Sequence, residues 1–69
     1  MRQSTRNQLP GTIVNIELGG VMAVVSLELD GGQRVTAVIT RAAVEELGLA
    51  VGHKATALIK STEVSLAID

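Results

Sequence analysis

Val21 to Ile39, reading VMAVVSLELDGGQRVTAVI, is the stretch that decides the fold. Up to Leu29 the chain alternates without a break. Val21, Ala23, Val25, Leu27 and Leu29 share one face, while Met22, Val24, Ser26 and Glu28 share the other, which is the period of a pleated strand. Asp30-Gly31-Gly32 follows, residues that tolerate positive φ, and from about Gln33 the alternation resumes with Val35, Ala37 and Ile39 inward. Two strands joined by a tight turn make a hairpin, and the rest of the chain is read outward from it.

Upstream, Gly19-Gly20 turns the chain. Before it, Thr12, Val14, Ile16 and Leu18 alternate with Ile13, Asn15 and Glu17 after Pro10-Gly11, predicting another strand. Downstream, Thr40 has a hydroxyl suited to cap a short helix. Ala43, Val44 and Leu47 follow at helical spacing, and Gly48 stops it. Beyond Gly52 a fourth strand is expected from about His53 to Lys60, with Ala55, Ala57 and Ile59 inward. A fifth is expected from Glu63 to Ile68, carrying Val64, Leu66 and Ile68. The expectation is therefore a mostly β fold: a small five-stranded Greek-key barrel, like the oligonucleotide/oligosaccharide-binding (OB) fold, with one short helix between strands 3 and 4. Residues 1–69 form a single domain in this reading, with no repeat or linker.

This assignment leaves Ile13, Met22, Val24, Val38, Leu58 and Ala67 on the wet faces of their strands. Several apolar residues on one small sheet point to a subunit interface. Size argues the same way. A chain of 69 residues buries only about 60% of the surface its unfolded form exposes. Small domains supplement so small a core with disulfides, a structural metal or association. Cysteine is absent, and a lone histidine, His53, cannot build a structural zinc site in one chain. Association with copies of itself remains.

Composition removes several functions. The net charge is −1 and there is no Phe, Tyr or Trp, so the chain has neither the basic footprint nor the stacking platforms of a nucleic-acid binder. The polar opening, residues 1–8, lacks the apolar run of a signal peptide, and no stretch approaches the roughly 20 apolar residues of a membrane span. A soluble cytoplasmic protein without membrane or nucleic-acid partners is expected. It is also expected not to be an enzyme. There is no cysteine nucleophile, His53 has no carboxylate at a telling spacing, and Glu28, Asp30, Glu45, Glu46 and Glu63 fall at strand ends, turns and a helix surface.

Two polar clusters remain: Ser4-Thr5-Arg6-Asn7-Gln8 before the first strand and Lys60-Ser61-Thr62 after the fourth. Each joins a positive charge to short hydroxyls. A deprotonated tetrahedral oxyanion offers only acceptors, so its site should consist of donors: backbone N–H groups, hydroxyls and one or two cations. On physical grounds alone, these clusters are either such a donor set or plain solvated turns.

A resemblance favours the first. Ser4-Thr5-Arg6-Asn7-Gln8-Leu9-Pro10-Gly11-Thr12 resembles the S-A-R-N-Q-x-x-G-T opening of the molbindins, Mop-type, TOBE-like molybdate-binding domains. Val51-Gly52 and Thr56-Ala57-Leu58-Ile59-Lys60-Ser61-Thr62-Glu63-Val64 resemble the family's closing G-x-x-V-T-A-L-I-K-(A/S)-(S/T)-x-V. Thr36 to Thr40 resembles its T-A-I-V-T strand. The likeness spans essentially the whole chain. It implies a protein that binds molybdate or tungstate as the oxyanion, with no directly ligated metal, for storage, buffering or homeostasis. It also implies a homo-oligomer, a hexamer built as a trimer of dimers, with anion sites between subunits. By position, Ser4, Arg6, Lys60 and Ser61 contact the oxyanion, and Gly20 and Val21 lend backbone N–H groups. Thr5 stands where the family more often has Ala and puts a further hydroxyl beside the site, either as an added donor or facing solvent. The resemblance gives His53 no role. The competing expectation is a ligand-free OB-like module that serves a transporter or regulator by oligomerising.

Overall fold

The alternation around Asp30-Gly31-Gly32 does form a hairpin. In the computed structural model, which describes residues 2–69, strand β2 (Met22–Leu29) pairs antiparallel with β3 (Arg34–Thr40) from Met22 opposite Thr40 to Glu28 opposite Arg34. Gly32 takes φ +90° in the turn, a conformation open to glycine at little cost. The Leu29 N–H donates to the Gln33 carbonyl and the Gly32 N–H to the Leu29 carbonyl, closing the turn at 2.8 and 2.9 Å.

Strand β1 (Asn7–Leu18) pairs with β2 on one side and with β4 (Lys54–Ile59) on the other, giving the sheet order β3-β2-β1-β4. It begins well before the Thr12 expected from the alternation, because Pro10-Gly11 does not interrupt it. Pro10 pairs with Thr56 of β4, while pairing to β2 starts one residue later at Gly11. The proline therefore sits where β1 still has one open edge, a place a strand tolerates the missing N–H. At Gly11 the strands approach so closely that a Cβ would lie 2.5 Å from the Glu28 carbonyl oxygen.

The register of β1 against β2 slips between Ile13 and Asn15. Such a bulge inserts an extra residue and reverses the alternation beyond it. This corrects the outward placement of Ile13, which at 1% exposure is the most buried large side chain. Ile16, beyond the bulge, packs against the same cluster. That core consists of Ile13, Ala23, Val25, Leu27 and Val44, flanked by Leu29, Val35, Ile39, Leu49, Ala55 and Ala57. Val44 comes from helix α1 (Arg41–Leu47), which leads from β3 towards β4. Thr40 caps it, its hydroxyl accepting the Ala43 N–H at 3.0 Å, and Gly48 ends it in the left-handed region at φ +64°. Leu47, the other expected anchor, points to solvent.

The fifth strand expected over Glu63–Ile68 does not form within the chain. Ser61–Glu63 makes one 3-10 turn, and residues 64–69 pair with no strand among the described residues. Their alternation is strand-like, but Leu66 and Ile68 are 94% and 96% exposed. One chain thus forms a curled four-stranded sheet with a helix, whose edge strands β3 and β4 are both open.

Candidate functional site

The sheet brings the two ends of the sequence together. Asn7 is paired with Ile59, and its side-chain amide also donates to the Ile59 carbonyl at 3.1 Å, which fastens the opening segment to the end of β4. Gln8 donates from Nε2 to the Thr5 carbonyl at 3.0 Å and braces the preceding bend. On the other side, the 3-10 turn is closed by the Glu63 N–H on the Lys60 carbonyl at 2.9 Å. Between them lies a cleft of about 320 Å³ lined by Ser4, Thr5, Arg6, Lys60, Ser61 and Thr62.

Of the residues nominated from the sequence, Ser4, Thr5, Arg6, Lys60 and Ser61 thus share one surface. Apart from half-buried Thr5, they are exposed. Two cations face this cleft, and among the described residues neither Arg6 nor Lys60 has a carboxylate within 4.0 Å; the two ion pairs, Arg34–Glu28 and Arg41–Glu45, lie elsewhere. With four hydroxyls beside them, these cations make a donor-rich wall suited to a small anion. No group of three His, Cys, Asp or Glu among the described residues is arranged to hold a bare metal ion.

Gly20 and Val21 lie elsewhere, in the turn between β1 and β2. Asn7, beside the cleft, starts β1, and the turn follows the strand's other end. At about 3.3 Å per residue the strand path between them is on the order of 35 Å. Neither Gly20 nor Val21 lines the cleft. Thr62, which completes the cleft wall, and Asn7 and Gln8, which hold it, belong to the two polar clusters picked out from the sequence but were given no contact role by the resemblance. Their proximity arises from the β1–β4 pairing, a contact across about fifty residues that local periodicity does not carry. His53 contributes backbone only to this picture: its carbonyl accepts the Ile13 N–H at 2.9 Å, and its N–H donates to Ala50 at 3.1 Å.

Comparison with known proteins decides the family. The TOBE-domain model matches residues 3–66, nearly the whole chain. The chain is a Mop-type TOBE domain. It is 44% identical over 69 residues to a probable molybdenum-pterin-binding protein of Haemophilus influenzae, covering all of both chains. Among solved structures it superposes on MopII from Clostridium pasteurianum with a TM-score of 0.92 at 43% identity, covering 97% of this chain and 100% of that one. A molybdate-binding protein from Sporomusa ovata gives a TM-score of 0.93 at 38% identity, covering 99% and 100%. The Mop-type domain is covered to 97% or more by each of these three. No helix in its described residues is long and apolar enough to cross a membrane.

Proposed function

We propose that this Mop-type domain binds molybdate or tungstate and stores or buffers it in the cytoplasm. The observation that carries the reading is the cleft in which Arg6 and Lys60, without carboxylate partners among the described residues, face the hydroxyls of Ser4, Thr5 and Ser61. The relatives named for molybdenum and molybdate give the anion its identity. Fixed donors select by size and charge. Molybdate and tungstate are larger than sulfate, and they stay dianionic where phosphate is partly protonated.

In this proposal the site is completed between copies. Ser4, Thr5, Arg6, Lys60 and Ser61 come from one subunit, and the Gly20 and Val21 N–H groups from a neighbour, since neither lines the cleft of its own chain. The open edges of β3 and β4 are where a fifth strand closes the barrel, and the exposed Val64-Leu66-Ile68 face of another copy has the apolar pattern for that gap. Such exchange fits a hexamer arranged as a trimer of dimers. An assembly module without cargo shares these surfaces but leaves the convergence of Arg6 and Lys60 on one hydroxyl-lined cleft unexplained.

Thermal unfolding with molybdate, tungstate, sulfate and phosphate in parallel tests the reading. A ligand present at about 100 times its dissociation constant adds about 2.7 kcal/mol per site, so a clear rise in Tm is expected with the first two and little with the others. No shift with any of the four, in a protein shown to be assembled, would leave the assembly module as the function.

A further inference from the structure

Arg41 converges on the turn that carries Gly20 and Val21. Its Nη1 donates to the Gly19 carbonyl at 3.2 Å, and its backbone N–H donates to the Val21 carbonyl at 2.8 Å. Its Nε is meanwhile held by Glu45 Oε1 at 3.1 Å, one helical turn further along α1. The Gly19 N–H closes the turn on the Met22 carbonyl at 2.8 Å. Carbonyls 19 and 21 are therefore both directed at the start of α1. A trans peptide points its N–H opposite to its C=O, so a Gly19 carbonyl held by Arg41 aims the Gly20 N–H away from the helix. Among the described residues no backbone carbonyl takes up the N–H of Gly20 or of Val21. The ground beside Gly20 is open as well, since an added Cβ there would find no atom within 4 Å.

We infer that Arg41 is a positioning residue for oxyanion binding, fixing the Gly19–Gly20 peptide so that the Gly20 N–H faces the anion. This rests on the proposed role of that turn as a donor. With glycine on both sides of the peptide, little besides the guanidinium resists its rotation, because glycine accepts either sign of φ. A rotated peptide would present the Gly19 carbonyl where the N–H had been, setting an acceptor against a dianion. Glu45 acts one step further back by keeping the guanidinium over the turn.

Titration of the 15N-labelled, assembled protein with sodium molybdate, alongside calorimetry, separates the possibilities. In the wild type the Gly20 amide resonance should move with molybdate. Arg41→Ala should bind about tenfold more weakly and lose the Gly20 response, while Ser61 still responds. Arg41→Lys, which restores one cationic donor, should recover part of the affinity. A role in helix stability alone would lower the Tm of the unliganded protein and leave both the affinity and the Gly20 response intact. That result overturns the inference. No molybdate binding by the wild type would overturn the functional reading beneath it, whereas binding without any Gly20 response would remove the turn from the site and Arg41's role with it. Should Arg41→Ala fail to fold, Glu45→Gln keeps the guanidinium but weakens its anchor. About threefold weaker binding with a reduced Gly20 response is then expected, and an unchanged titration overturns the proposal.

Discussion

At the scale of single residues, the cleft depends on two cations that reach it from opposite ends of the chain. Arg6 offers a planar fork of donors and Lys60 a compact ammonium, so each is equipped for a charge-assisted hydrogen bond to an oxyanion, and neither has a competing carboxylate within 4.0 Å among the described residues. Removing one such contact costs about 1.5–3 kcal/mol. Arg6→Ala and Lys60→Ala should each weaken molybdate binding roughly ten- to a hundredfold by calorimetry, with the unliganded Tm nearly unchanged because both side chains are exposed. Wild-type affinity in both variants would remove the cleft from consideration. The clusters around these residues were legible in the sequence because they join hydroxyls and charge in short runs. Their juxtaposition was not legible, since it comes from the strand pairing that sets Asn7 opposite Ile59. Gly20 and Val21 were nominated by resemblance alone, and the cleft of one chain does not include them.

At the scale of elements, alternation was a sound guide wherever the pleat was regular. Ala23, Val25 and Leu27 are buried as the β2 pattern requires, and Thr40 and Gly48 bracket α1. It misled at Ile13, because one inserted residue in β1 turns an outward position inward and no feature of the local composition marks the slip. Pro10-Gly11 misled for a different reason: the pair resembles a turn, yet proline falls on the edge of β1 left open and glycine falls where β2 comes closest. That second observation is testable. A Cβ on residue 11 would lie 2.5 Å from the Glu28 carbonyl oxygen, a backbone atom fixed in the sheet, so the two strands would have to separate. Gly11→Ala should destabilise the fold by about 1–3 kcal/mol in denaturant melts, the usual cost of forcing extra volume into packed structure. A change within 0.5 kcal/mol of zero, the range of ordinary surface substitutions, would show that β1 and β2 are less closely joined at this point.

At the scale of the whole molecule, one chain leaves open more surface than its size requires. A compact monomer of this size would expose roughly 4,100 Å². This chain exposes 5345 Å², an excess on the order of the 800 Å² that each partner contributes to a standard interface. Exposed apolar side chains lie at Met22 and Val38 on the sheet and at Val64, Leu66 and Ile68 in the tail, and the edges of β3 and β4 are open. The alternation of Val64, Leu66 and Ile68 predicted a fifth strand that the chain does not form, because a strand needs a pairing partner and alternation alone does not supply one. If that segment closes a neighbour's barrel, deleting residues 64–69 should leave β1 to β4 and α1 intact while abolishing assembly. Sedimentation should then report a lighter species, and unfolding should occur at lower temperature without the concentration dependence expected of a linked oligomer. Molybdate should no longer raise the Tm, since the cleft and the Gly20 turn would no longer be held in neighbouring copies. A truncated protein of unchanged oligomeric mass would place the interface on the Met22–Val38 face instead. The four-stranded sheet would then be the complete fold of each subunit, with the tail outside it.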